Sequence, residues 1–421
     1  MKAFKRITAI LLVALLTMAL MAGCQSTNGG TEPNKISTLE EEKGKTLTIL
    51  IPGHNEKDET LWQNQVVKAF CEQYPDIKVE FVTADWSNWE EKLMAAYRSG
   101  DPIDLIHDGV NNNPRFALNN ITQPIDPYVD MTNPNLKLEV MDEIFYYGGK
   151  HYVAASEVNV AVLYYNKNLF QQEGLEDPAA LYAKGEWNWE NFVKLAKKLT
   201  DSSSNRWGFA NEYPYLFYGS NATSILTLDE NSRYALNLDD PALIESLEML
   251  QDGSFDSCWS GWEGNPLLTF QKGKAAMYAD FQWQEKSILA GKEFGLTNFE
   301  YGVVPMPYGP NNTKELNIVH SAGWSLGQGS DCPAHAGKLI DMLVNGHAAY
   351  QDTVNADLPA ENVALYKEMA KKPFCVNTRD SAVGGGYELS QAVSEGQSIS
   401  QAIEEFKPDF QSKVNEANGK K

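Results

Sequence analysis

Basic residues are scarce in this chain: 35 Lys and Arg stand against 56 Asp and Glu, a formal charge of −21 over 421 residues. A body so acidic repels nucleic acid and anionic lipid, and its charge favours solubility over any specific partner. Histidine is rarer, with six scattered residues and no pair at ligand spacing. The five cysteines contain no Cys-x-x-Cys pair, so a zinc site or a thioredoxin-like redox centre has no starting ligands. There is no His-Glu-x-x-His pair, Walker loop or EF-hand loop to fix a catalytic metal, a nucleotide or calcium, and Asp229-Glu-Asn-Ser reads as a hairpin turn. No metal and no cofactor are expected. Long apolar runs are also missing, with one exception at residues 7–23.

That exception follows the basic start Met1-Lys-Ala-Phe-Lys-Arg6 and ends in Ala22-Gly23-Cys24. A charged segment, an apolar segment and small residues before a cut describe a secretory signal, and the run is short for a membrane span. The cysteine directly after Ala22-Gly23 resembles a bacterial lipoprotein signal, with Met21 where that pattern prefers Leu. The resemblance implies an acyl chain on Cys24 as the only membrane contact, holding the body on the outer face of the membrane of a Gram-positive cell. Removing residues 1–23 takes away Lys2, Lys5 and Arg6 and moves the formal charge from −21 to −24. Cys71, Cys258, Cys332 and Cys375 then remain, and outside the cytoplasm they allow three disulfide pairings, of which none is assigned.

Residues 24–45 are polar and turn-rich and read as a flexible tether. Order is expected from Thr46-Leu-Thr-Ile-Leu-Ile51, a short strand. Residues 58–74 follow as an amphipathic helix carrying Trp62, Val66 and Phe70. A strand at 77–82, a helix opened by a capping box at Ser87-Asn-Trp-Glu90, and a strand at 102–106 continue the order β-α-β-α-β. Such alternation argues for a parallel sheet covered by helices. Residues 158–165 read as a further strand and 188–200 as a helix. Asp240-Pro241 starts another helix, and residues 333–344 a last one closed by Gly346. About 400 residues exceed one hydrophobic core and fit two lobes.

Several segments resemble the sugar-binding group of extracellular solute-binding proteins of ABC importers, the maltose or multiple-sugar type. They are the opening at 46–106, Ser156-Glu-Val-Asn-Val-Ala-Val-Leu-Tyr-Tyr-Asn-Lys-Asn-Leu-Phe170, Trp187-Asn-Trp-Glu-Asn-Phe192, and Phe270-Gln-Lys-Gly-Lys-Ala-Ala-Met-Tyr-Ala-Asp-Phe-Gln-Trp283. Tyr301-Gly-Val-Val-Pro-Met-Pro-Tyr-Gly-Pro310 and Ser321-Ala-Gly-Trp324 follow in the expected order, and the match is lost over 352–386. The resemblance implies an α/β, periplasmic-binding-protein-like fold, with two lobes joined by hinge crossings near 157–159, 301–304 and 354–359. Lobe 1 would be 46–157 plus 304–353, and lobe 2 would be 158–303 plus 354–421. It further implies a monomeric receptor that closes on a carbohydrate and delivers it to permease subunits. The alternatives are a binding lipoprotein for another solute, or a secreted carbohydrate-active enzyme using a carboxylate pair such as Asp108 and Glu157.

A sugar needs aromatic rings for its C–H faces and carboxylates, amides or Arg for its hydroxyls. Carboxyl ends of parallel strands face the ligand crevice. That places Asn55 and His54 after the first strand and Asp108 after the third. The resemblance adds Glu157 beside the hinge, Trp283 and Trp324 as ring platforms, Asp280 beside Trp283, and Glu212 with Tyr213. Trp86, after the second strand, and Arg379, in the unmatched segment, complete the candidate set.

Overall fold

The computed structural model describes residues 36–211, 213–255, 265–375 and 377–419. Cys24, the signal, the tether up to residue 35, Glu212 and Cys258 lie outside the described residues. From Thr38 onward the chain forms one compact unit. Its first strand, β1 (Thr46–Leu50), leads into helix α1 (Trp62–Gln73), strand β2 (Lys78–Val82), helix α2 (Trp89–Ser99) and strand β3 (Leu105–Gly109). β1 pairs in parallel with both β2 and β3, the arrangement that the alternating pattern predicts.

The third strand begins three residues later than expected, so His107 and Asp108 lie within it rather than beyond its end. The Pro102 ring cannot donate to a ladder, which pushes the start of pairing to Leu105. The expected capping box also fails: Asn88 caps α2 without a side-chain bond to the helix, and its Oδ1 instead accepts from Asp85 N at 3.0 Å.

Two long strands then organise the molecule. β4 (Ala154–Asn166) follows, with helix α3 (Trp189–Leu199), strand β5 (Trp207–Asn211), helix α4 (Pro241–Phe255), strand β6 (Ala275–Phe281), helix α5 (Gln284–Glu293) and strand β7 (Tyr301–Pro305) after it. The second long strand is β8 (Asn317–Gly327), followed by helices α6 (Pro333–Asp357) and α7 (Ala360–Met369). The sheet runs β2-β1-β3-β8-β4-β6-β5, and β7 also pairs with β4. β8 lies antiparallel between β3 and β4, so one continuous sheet passes from the β1–β3 end to the β5–β6 end. A register shift between Ala322 and Gly323 marks the joint.

α3 shows why these sequences form these elements. Asn188 caps it by accepting from Asn191 N, an interaction that typically contributes about 1 kcal/mol. Its face of Trp189, Phe192, Leu195, Ala196 and Leu199 is buried, and each large apolar side chain contributes roughly 1.5–3 kcal/mol. α6 overruns its expected stop, passing through Gly346 to Asp357. The glycine is there for contact rather than termination: a Cβ would stand 2.5 Å from Val66 Cγ2 of α1.

The segment Leu39–Glu42 is tied to the body by a buried carboxylate. Glu42 accepts from Ala334 N and His335 N, each at 2.9 Å, at the start of α6, and lies 2.7 Å from His335 Nδ1. Cys71 and Cys332 are free thiols. Among the described residues no helix is long and apolar enough to cross a membrane, and no group of His, Cys, Asp and Glu is arranged to hold a metal ion.

Candidate functional site

The end of β6 carries Phe281 into Trp283, which stands at the N-terminus of α5. Their rings stack with centroids 4.5 Å apart, and His320 of β8 meets Trp283 edge-on at 5.3 Å. Tyr213 reaches Phe281 at 6.3 Å and stacks on Tyr215 at 5.2 Å. Trp283 keeps 38% of its surface open. These rings form an aromatic wall at the ends of β5 and β6, with one large ring available to the outside. Beside it, Asn211 ends β5 at only 5% exposure, and neither atom of its amide has a partner. An unpaired buried amide costs about 1–3 kcal/mol, which a ligand hydroxyl would recover.

A second group converges on Glu157 of β4. His347 of α6 approaches its carboxylate at 3.5 Å. Burial raises the Glu157 carboxyl, but the His347 hydrogen bond and the charges of His107, His347 and His320 outweigh it, leaving a pKa of about 2. Burial pushes the imidazoles of His107 and His320 down, against the pull of Glu157. His107 also feels the charges of His347 and His54. Three of the six histidines that look scattered in sequence, His107, His320 and His347, thus gather near one carboxylate. Among them His320 is notable for a buried Nδ1 without a partner.

The strand ends of β1 and β2 carry three further candidates, His54, Asn55 and Trp86. The His54 ring stacks on Phe81 at 4.9 Å, and its Nε2 lies 2.8 Å from Asn64 Oδ1. Asn55 is exposed, with its Oδ1 accepting from Lys57 N at 3.2 Å. Trp86 is 70% exposed and lies over Gly53, where a Cβ would fall 2.5 Å from Trp86 Nε1. The glycine lets the indole lie flat on the turn, and its φ of +67° suits the same residue.

Three expectations are corrected. Asp108 is 2% exposed and serves the interior, accepting from Gly109 N, Asn112 Nδ2, Asn113 Nδ2 and Ser325 Oγ. Burial nevertheless raises its carboxyl. With both oxygens occupied it is neither a free hydroxyl acceptor nor half of a catalytic carboxylate pair. Asp280 is fully buried and accepts from Phe281 N at 2.6 Å and from the Tyr278 hydroxyl. Trp324 is 1% exposed, with His107 at its edge, so its ring is core and offers no open face. The run Gly323-Trp-Ser-Leu-Gly327 has the spacing of a nucleophile elbow. It lies wholly inside β8, where the buried Ser325 Oγ donates to Asp108 and to the Tyr152 carbonyl. A strand interior is not the strained turn that exposes a nucleophile.

The segment that carries Arg379 meets the segment after β3, where Ser381 Oγ donates to Asn111 O at 3.4 Å; Arg379 itself donates to Ile144 O at 3.3 Å. A cavity of about 690 Å³ lies along the crossing strand, lined by the Glu157–His347 pair and by Asn159, Gln282, Asn355 and Tyr366 among others. Sequence reading missed Asn211, His107, His320 and His347. The signal available for Asn211 was its place at a strand end, two residues before Tyr213.

Comparison with known proteins gives a consistent result. A putative binding protein of Brucella abortus is 25% identical over 331 residues, 76% of each chain. The multiple sugar-binding protein of Streptococcus mutans is 23% identical over 303 residues, covering 67% of this chain and 66% of that one. An ABC substrate-binding protein of Listeria monocytogenes, solved with cycloalternan, superposes with a TM-score of 0.68 at 21% identity, over 90% of this chain and 100% of that one. The fold is therefore α/β and periplasmic-binding-protein-like, with two lobes. Residues 53–345 match the family model for bacterial extracellular solute-binding proteins, and the chain belongs to that family.

Proposed function

We propose that this chain is the lipid-anchored extracellular receptor of an ABC importer, capturing a sugar or oligosaccharide by lobe closure and delivering it to permease subunits. The observation that carries the reading is the half-open Trp283 ring on its aromatic wall beside the unpaired Asn211 amide. A planar ring covers the C–H face of a pyranose, and the adjacent amide both donates to and accepts from its hydroxyls. Trp86, Tyr213, His54, Asn55, Glu157 and Arg379 remain its candidate neighbours. The lobes are 46–157 plus 304–353 and 158–303 plus 354–421. The Streptococcus relative is named for multiple sugars and the Listeria structure holds cycloalternan, which supports a saccharide over a peptide or metal chelate. The protein acts as a receptor without turnover, and Cys24 carries the lipid.

A glycan panel read by thermal shift tests the ligand class. A true ligand well above its Kd adds RT ln(1 + [L]/Kd) of stability, about 2.7 kcal/mol at a hundredfold excess. A panel without a single shift would sink the saccharide reading. Labelled palmitate entering the wild type but not Cys24→Ala checks the anchor.

A further inference from the structure

We infer that the saccharide taken by this protein carries an anionic substituent, a carboxylate or a phosphate, received between Arg115 and Arg379. The inference rests on the saccharide reading above and deepens it. It begins from which acceptors are already occupied. A neutral hydroxyl must donate as well as accept, so a site for neutral sugar needs open acceptors. Here three buried carboxylates are consumed internally, and Asn211 Oδ1 is the open buried acceptor beside Trp283. Asp108 accepts four bonds, Asp280 accepts from Phe281 N and Tyr278, and Asp380 accepts from Ile225 N at 3.0 Å and Leu226 N at 2.8 Å. Glu157 faces His347.

Surplus donors remain. The Nε of Arg115 and the Nε of Arg379 are both buried with no acceptor. Arg115 spends its other end on Glu90 at 2.7 Å and Asn112 at 2.8 Å. Arg379 donates to the neutral Ile144 carbonyl and hydrogen-bonds the Tyr147 hydroxyl; its charge acts on the buried Asp380 without a salt bridge among the described residues. The two residues belong to segments far apart in sequence that meet at one place. Arg115 N donates to the Tyr234 hydroxyl at 3.3 Å, and both guanidiniums act on that same phenol. Two cations therefore converge with one carboxylate, Glu90, in direct contact, and Asp108 and Asp380 are nearby buried acids whose oxygens are already taken by backbone and side-chain donors.

A guanidinium offers paired donors that match carboxylate and phosphate oxygens. The chain's overall charge of −21 opposes an anion only weakly at this spot. At physiological salt, charges beyond about 8 Å are largely screened, whereas the two arginines act at contact distance.

The test is calorimetry on the purified protein with neutral maltotriose, cellotriose and mannotriose, with digalacturonate, and with glucose 6-phosphate, each at low and high NaCl. An acidic saccharide should bind at least tenfold more tightly than any neutral one, and the preference should shrink about tenfold at high salt. The digalacturonate and sugar-phosphate arms decide which anion is used. Arg379→Gln should abolish the preference, and the salt titration of the wild type gives the same information if that variant does not fold. Salt-independent binding of a neutral trisaccharide with no binding of either acid overturns this inference and leaves the saccharide reading standing. Binding of none of the five overturns both.

Discussion

Two tryptophans drawn from matching motifs have opposite surroundings, and their substitution separates ligand contact from packing. Trp283→Ala should weaken saccharide binding by about 1–3 kcal/mol, as for a ring that covers a desolvated face, with little loss of stability. Trp324→Ala should cost about 3–5 kcal/mol of stability, because it empties a closed core site. Urea denaturation and calorimetry on both variants check the pair, and equal loss of stability in both would place Trp283 in the core as well. Asp108→Ala should also be a folding variant, costing at least about 3 kcal/mol by leaving several buried donors unpaired. The histidines give a pH dependence of definite sign. Burial depresses His107 and His320, so the unfolded chain binds their protons more readily. Their contribution is complete above the ordinary histidine range and is lost as pH falls below about 6.5. His320→Gln should therefore gain on the wild type as pH drops from 7.5 to 5, measured as the difference in melting temperature. Glu157 adds to the loss only below its ordinary range, as pH falls toward its depressed value of about 2.

Individual elements were largely legible because their signals are local. The period of Trp62, Val66 and Phe70, the cap at Asn188 and the Asp240-Pro241 start each predict a helix that forms. What was not legible depends on what a residue touches across the fold. Gly346 reads as a helix stop, yet it lies in mid-helix where α6 approaches Val66 and Trp62 of α1. Asp108 reads as a strand-end ligand residue because nothing in sequence places Ser325, more than two hundred positions later, against it. The histidines around Glu157 were invisible for the same reason. Gly346→Ala makes the point measurable. Helix propensity alone favours alanine by about 1 kcal/mol, whereas forcing a methyl into a packed contact costs typically 1–3 kcal/mol. Packing should win, with a lower urea midpoint for the variant, and a stabilised variant would mean that α6 moves away from α1 at little cost.

At the scale of the molecule, two lobes closing on a ligand should make the bound form more compact, with a smaller radius of gyration in small-angle scattering at saturating saccharide. The continuous sheet carries a further consequence. β3, made of residues 105–109, obtains its antiparallel neighbour only from residues 317–327, and β4 takes the same partner. A chain ending before Asn317 lacks the strand that joins its two halves, and it should show no cooperative urea transition by circular dichroism. Pairings this distant carry a large closure entropy and form late. An emerging nascent chain consequently has no complete core until about three quarters of it has been made. If the chain is exported as proposed, that delay is useful: the polypeptide would stay threadable while it is being synthesised and would lock into shape only when the late strand arrives.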